Sequence, residues 1–152
     1  MPAPFPHRYQ VTLDGLDADG GGRLRAGARP EIAGGAPREF GGEDRWWSPE
    51  HLLLGSLSLC LMTTFRALAV REHLPVLGYT SRAEGQLDRT PSGLSFTALT
   101  LYVELRVPMA EVSRAERLLQ SAKKHCIVAN SLHTAVGLEV AVNAEPLAAV
   151  AP

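Results

Sequence analysis

From Leu52 to Phe65 no side chain carries a charge, and this run lies inside a longer helix-forming stretch from Ser48 to about Val70. The residues just before it are helix starters. The Ser48 hydroxyl can accept a hydrogen bond from a free N–H of the first turn. Pro49 falls at the first helical position, where it sacrifices no hydrogen bond. Glu50 sets a negative charge at the positive end of the helix dipole. A surface helix would keep one polar face; this one has none, so the pattern predicts a central helix covered on all sides. A cysteine, Cys60, sits in its middle.

With 152 residues the chain is long enough for one domain with a real core, spanning 1–152 with flexible ends at about 1–6 and 145–152. A net charge of -1 and the lack of a basic stripe argue against a nucleic-acid partner. The opening Met1-Pro2-Ala3-Pro4-Phe5-Pro6 has neither the charged nor the apolar region of a signal peptide. The uncharged run is shorter than the ~20 residues of a membrane span and carries Ser56, Ser58, Thr63 and Thr64, so a core helix is expected and no membrane. The expected compartment is the cytoplasm, where a purely structural disulfide is rare. The two cysteines, Cys60 and Cys126, are then either inert core residues or redox-active.

Along the chain, alternation predicts an opening strand over His7–Leu13, and short strands at Gly22–Ala26 and within Arg29–Gly35. Gly20 to Gly22 reads as a turn, since no strand–loop–helix context makes it a phosphate loop. A Gly-rich loop, Ala36–Gly42, leads to the central helix, which Pro75 must end. Leu77–Arg89 and Leu94–Val107 read as a hairpin about Thr90-Pro91-Ser92-Gly93, with Leu99, Leu101, Val103, Leu105 and Val107 on one apolar face. A helix from Glu111 to Lys124 follows, with Val112, Ala115, Leu118, Leu119 and Ala122 at helical spacing. Gly137–Asn143 is the final strand and Ala144–Pro152 a frayed tail. This order is an α+β pattern. One small antiparallel sheet covers only one side of the central helix, so a homodimer is expected, with the two helices packed at its heart.

Several segments together resemble the OsmC/Ohr family of thiol-dependent hydroperoxide reductases: Pro37-Arg38-Glu39-Phe40-Gly41-Gly42, Ser48-Pro49-Glu50-His51-Leu52-Leu53, Cys60, and Cys126 followed by Asn130-Ser131-Leu132. The resemblance implies the OsmC-like fold, with antiparallel sheets wrapped around two long central helices in an intertwined dimer and thiol sites at the interface. It implies a peroxidatic role for Cys60, a resolving role for Cys126 and a site role for Glu50. The arginine that pairs with the peroxidatic thiol matches Arg38 in the loop before the helix; Arg23, in an earlier Gly-Gly-Arg turn, is the other candidate and fits the spacing less well. Cys126 is followed by Ile127 where the family often has proline.

Under that reading Cys60 reduces an organic hydroperoxide, and Arg38, always charged and fork-shaped, holds the thiolate and the leaving oxygen. Glu50 orients Arg38. The sulfenic acid formed at Cys60 condenses with Cys126 to a disulfide, and a dithiol of the dihydrolipoyl type is the expected reductant. Local charge alone ranks the thiols the other way, because Lys123, Lys124 and His125 make Cys126 look the more acidic. His51, His125 and His133 lack zinc-ligand spacing, so no metal or other cofactor is expected. Trp46, Trp47, Phe40, Met62 and Phe65 could line an apolar substrate pocket. The competing function is a non-catalytic protein of the same fold that binds an apolar ligand at the dimer interface.

Overall fold

The computed structural model of the chain describes residues 3–16 and 18–146. The outermost parts of the two expected flexible ends, including the tail beyond 146, lie outside the described residues. The chain divides into two compact units, residues 1–53 and 54–152, taken in turn.

In the first unit, β1 (Thr12–Gly15), β2 (Gly22–Arg25) and β3 (Ile32–Gly34) form an antiparallel sheet in the order β1-β2-β3. The opening strand is shorter than its alternation suggested. β2 offers only the positions from Arg25 back to Gly22, so pairing begins at Thr12 and His7–Val11 stays outside the ladder. Gly20 turns the chain at φ 78°, and a strand follows it rather than a helix. Further on, Trp47 docks beside the third strand: its N–H reaches the Ala33 carbonyl at 3.3 Å, and its carbonyl accepts from Gly35 N–H at 3.1 Å.

The helix α1 runs unbroken from Pro49 to Arg71, with Gly55 inside it. Ser48 caps it as expected, its buried Oγ accepting from His51 N–H at 3.2 Å. The stop comes before Pro75. His73 takes a left-handed conformation at φ 53°, and Leu74 N–H bonds back to the Ala69 carbonyl at 2.8 Å, a Schellman-type close.

In the second unit, β4 (Gly78–Thr90) and β5 (Gly93–Pro108) form the expected hairpin. The helix α2 (Val112–Lys124), the short α3 (Ile127–Asn130) and β6 (Val136–Glu145) follow. β6 lies on β5 and runs parallel to it, giving the order β4-β5-β6. This corrects the expectation of purely antiparallel sheets: the α2 and α3 crossover carries the chain back to the start of β5, the connection that parallel neighbours need. Leu57, Leu61, Phe65 and Ala69 of α1 join Leu99, Leu101, Val103, Leu105 and Val107 of β5 and Ala115, Leu119 and Ala122 of α2 in one core. The apolar faces read from β5 and α2 are the faces that are buried.

The expected cover on all sides of α1 is absent from the single chain. Its buried residues follow one stripe of four-residue spacing, whereas Leu59 is 60 % and Val70 67 % exposed. At 23 residues and a mean hydropathy of 1.7 over its most apolar window, α1 meets the length and composition of a membrane span, contrary to the shorter estimate from the uncharged run. Its inner stripe is nonetheless built into a protein core.

Candidate functional site

Cys60 comes from the middle of α1, and Cys126 from the corner where α2 ends and α3 begins. That corner has a local cause. His125 N–H closes α2 onto the carbonyls of Ser121 and Ala122 at 3.2 and 3.1 Å, and Cys126 then turns extended at φ -70°, ψ 106°. Asn130 locks the turn, its N–H reaching the Cys126 carbonyl and its side chain the Lys124 carbonyl, both at 3.0 Å. The result is a buried thiol, 1 % exposed, facing a half-buried one. Both are free thiols, and they are electrostatic neighbours.

Burial pushes the Cys126 thiol above its ordinary range, and the neighbouring Cys60 adds to the rise. The backbone N–H groups of Ala129 and Val128, in the turn that follows, work the other way. This overturns the ranking by local charge. Lys124 and His125 are exposed, and their charges act through water, while the sulfur itself has lost its hydration. Cys126 therefore holds its proton more tightly than an ordinary thiol.

Tyr79, at the start of β4, belongs to the same neighbourhood, and nothing in the sequence pointed to it. Its ring packs against Phe65 with centroids 5.9 Å apart, and its phenol oxygen is sealed from solvent without a hydrogen-bond partner. Burial raises its proton affinity, Ser81 is near enough to oppose that without completing a bond of good geometry, and charge on Cys126 raises it further.

The remaining site residues read from the sequence lie in the first unit. Arg38 occupies a single 3-10 turn, Arg38–Phe40, closed by Gly41 in a left-handed conformation. The loop is tight: a Cβ on Gly42 would fall 1.7 Å from the Ala36 carbonyl oxygen. The guanidinium is 77 % exposed and pairs with Asp44 at 2.7 Å. Arg23 is more enclosed, 3.6 Å from the Glu31 carboxylate and 5.5 Å from the Trp46 ring centroid. Glu50 makes no ion pair with either arginine among the described residues, and its Oε2 is buried without a partner. The expected Arg38–Glu50 pairing is thus not formed within the chain.

The aromatic and methionine residues do not share one pocket. Met62 and Phe65 line a cavity of about 380 Å³ with Arg66, Leu74, Val76 and Tyr79. Trp47 lines another of about 450 Å³, walled by Leu13, Leu16, Leu24 and Leu52. Trp46 and Phe40 line neither; Trp46 instead carries the Arg45 guanidinium 4.3 Å above its ring. Two of the histidines are engaged locally, His51 with Ser48 Oγ and His125 with the Ser121 carbonyl, each at 2.8 Å.

The fold is shared with solved structures. An OsmC-like protein of unknown function from Vibrio cholerae superposes with a TM-score of 0.81 at 20% identity, covering 90% of this chain and 100% of that one. An organic hydroperoxide resistance protein from Elizabethkingia anophelis gives 0.71 at 16% identity, covering 93% and 100%. The organic hydroperoxide resistance protein OhrB of Bacillus subtilis gives 0.64 at 15% identity, covering 90% and 98%. At such identities these likenesses establish the fold. No curated protein sequence matches the chain. The sequence profile described as OsmC-like protein matches residues 42–141, well over half of the chain and both cysteines included, so the chain belongs to the OsmC-like protein family.

Proposed function

We propose that the protein is a thiol peroxidase that reduces organic hydroperoxides through Cys60 and Cys126. One observation carries the reading: a half-buried and a fully buried free thiol are neighbours in a chain whose structural likenesses include hydroperoxide resistance proteins. Cys60 thiolate attacks the distal oxygen of the hydroperoxide; the O–O bond breaks, the alcohol leaves with one proton, and Cys60 becomes a sulfenic acid. The Cys126 sulfur then displaces water from the Cys60 sulfur, forming the disulfide. An external dithiol, of the dihydrolipoyl type by family, returns two electrons.

In this reading Arg38 leaves its exposed partner Asp44 to hold the thiolate and the developing alkoxide, and Glu50 orients it. The unpartnered Glu50 Oε2 supports that role, since a sealed carboxylate oxygen favours a cation. The working unit is a homodimer in the cytoplasm, supported by the open apolar face of α1. A second reading, an apolar-ligand carrier, is favoured by the apolar cavity walled by Leu13, Leu16, Leu24 and Trp47.

One experiment separates the two readings. The reduced protein should consume cumene hydroperoxide with dihydrolipoamide as reductant, and Cys60→Ser should lose that turnover by about 10³-fold or more. A wild-type rate no greater than that of Cys60→Ser would leave only the carrier.

A further inference from the structure

We propose that Asn130 is a positioning residue for the Cys126 thiol: its amide side chain ties the turn after Cys126 back to the helix before it, and so holds the sulfur where a bond to Cys60 closes. The inference rests on the thiol-peroxidase reading for its biological setting, while the tether itself is a matter of hydrogen-bond geometry.

The chain needs a tether at this point. α2 ends at Lys124 and leaves its last carbonyls without partners further along the helix. His125 N–H reaches those of Ser121 and Ala122, and Cys126 N–H reaches that of Lys123 at 3.2 Å. The Lys124 carbonyl is left over. Cys126 then turns extended, and α3 beyond it has only four residues, Ile127–Asn130. One turn of helix does not hold itself in place, so no rigid element follows the cysteine.

Asn130 closes this gap with both of its donors. Its N–H bonds to the Cys126 carbonyl and its Nδ2 to the Lys124 carbonyl, each at 3.0 Å. One residue thus grips the chain on both sides of the cysteine. The backbone bond only closes a turn, which any residue but proline would do. The side-chain bond reaches across Cys126 to α2. The other side-chain bonds described at this corner stay within one helical turn: the His125 ring to the Ser121 carbonyl and the Ser131 hydroxyl to the Ile127 carbonyl, each at 2.8 Å.

Packing does not replace the tether. Val128 and Ala129 are partly buried against the core, but apolar contact is non-directional and does not set the rotation of the backbone at Cys126. A disulfide is exacting: it needs Cα atoms about 4.4–6.8 Å apart and a torsion near a right angle. A thiol whose backbone wanders samples that geometry less often, which lowers its effective concentration at the other sulfur. Asn130 is exposed, so water can satisfy the Lys124 carbonyl once the amide is gone. Water does not join α3 to α2. Loss of the amide therefore spares the fold and loosens the thiol.

The test reads an equilibrium, which does not depend on how fast either sulfur is reached or on any hydroperoxide. The whole chain, reduced, is incubated in mixtures of oxidised and reduced dithiothreitol. The oxidised reagent takes two electrons and two protons from the Cys60 and Cys126 thiols; the protein S–S bond forms and the reagent's own S–S bond opens to a dithiol. Acid quenching and mass spectrometry give the linked fraction, and with it the effective concentration of one thiol at the other. Asn130→Ala should lower that constant by about threefold to tenfold, the share of one net hydrogen bond. Asn130→Asp, which keeps the shape and the backbone N–H but lacks the Nδ2 donor, should lower it as well. Val103→Ala, which thins the buried core on β5, should leave it nearly unchanged. A shift below threefold in Asn130→Ala, an unaltered constant in Asn130→Asp or an equal fall in Val103→Ala overturns the proposal. So does a protein that forms no Cys60–Cys126 link in the oxidised reagent. If the link forms and depends on Asn130 while cumene hydroperoxide is not consumed, the tether stands and the peroxidase reading alone has failed.

Discussion

Cys60 and Cys126 are neighbours within the second unit, the first half-buried on the long helix and the second sealed at the corner after α2. On the thiol-peroxidase reading, the unequal exposure of two neighbouring free thiols sets an order of events. On that same reading the accessible sulfur meets the oxidant and the buried one resolves it. One equivalent of cumene hydroperoxide should therefore give an intrachain Cys60–Cys126 disulfide, found by peptide mapping. Cys126→Ser should instead advance to sulfinic acid at Cys60 under repeated dosing. Sulfinic acid at Cys60 in the unmutated chain, with Cys126 still free, would remove Cys126 from the resolving role.

The two faces of α1 should respond differently to substitution. Leu61 is fully buried, and Leu61→Ala should lower unfolding stability by about 2–5 kcal/mol. Leu59 points outward, so Leu59→Glu should spare the fold of the chain while turning a dimer into a monomer in sedimentation at micromolar concentration. A Leu59→Glu protein that remains dimeric would place the interface elsewhere.

Glu50 and Cys60 lie ten positions apart on a helix that does not break at Gly55, about 15 Å along its axis. A glutamate side chain does not span that distance, so if Glu50 serves a Cys60 site, the site belongs to the other subunit. Mixed dimers of Cys60→Ser and Glu50→Ala chains then contain one intact site and one doubly defective site, and activity should return to roughly half per dimer. Verified mixed dimers without recovery would show that Glu50 does not act across the interface.

Ile127 stands at the first position of α3, is 75 % exposed and follows a residue already extended at ψ 106°. These are the conditions proline needs. Ile127→Pro should raise stability by about 0.4–1 kcal/mol, read from thermal unfolding, by limiting the unfolded chain. A clear loss would mean that the Cys126 corner must flex.

Cys126 and Tyr79 both hold their protons more tightly when folded, chiefly through burial. The folded state therefore binds more protons than the unfolded one at alkaline pH. The stability linked to these groups is complete below the ordinary thiol value of 9.0 and declines as pH rises past it. Melting temperatures of the reduced protein should fall through that window, and Cys126→Ala with Tyr79→Phe should flatten the decline. A double variant with an undiminished slope would assign the alkaline sensitivity to other groups.

Local chemistry wrote much of the fold into the sequence. Ser48-Pro49 starts α1, the alternation from Leu99 to Val107 marks the inner face of β5, and the spacing from Val112 to Ala122 marks that of α2. Each of these signals depends on residues within a turn or two of one another. The direction of β6 was not legible, because a strand of ten residues alternates in the same way whether its neighbour runs with it or against it. Nor was the proton affinity of Cys126: the basic residues beside it in sequence face water, and burial by distant segments decides instead. Tyr79 comes near the thiols only through tertiary packing, which brings β4, α1 and the α2–α3 corner together. The sequence by itself determined which residues can do thiol chemistry and which elements carry them. Only the tertiary structure decided which sulfur is open and which is sealed, since exposure depends on what the rest of the chain places over each one.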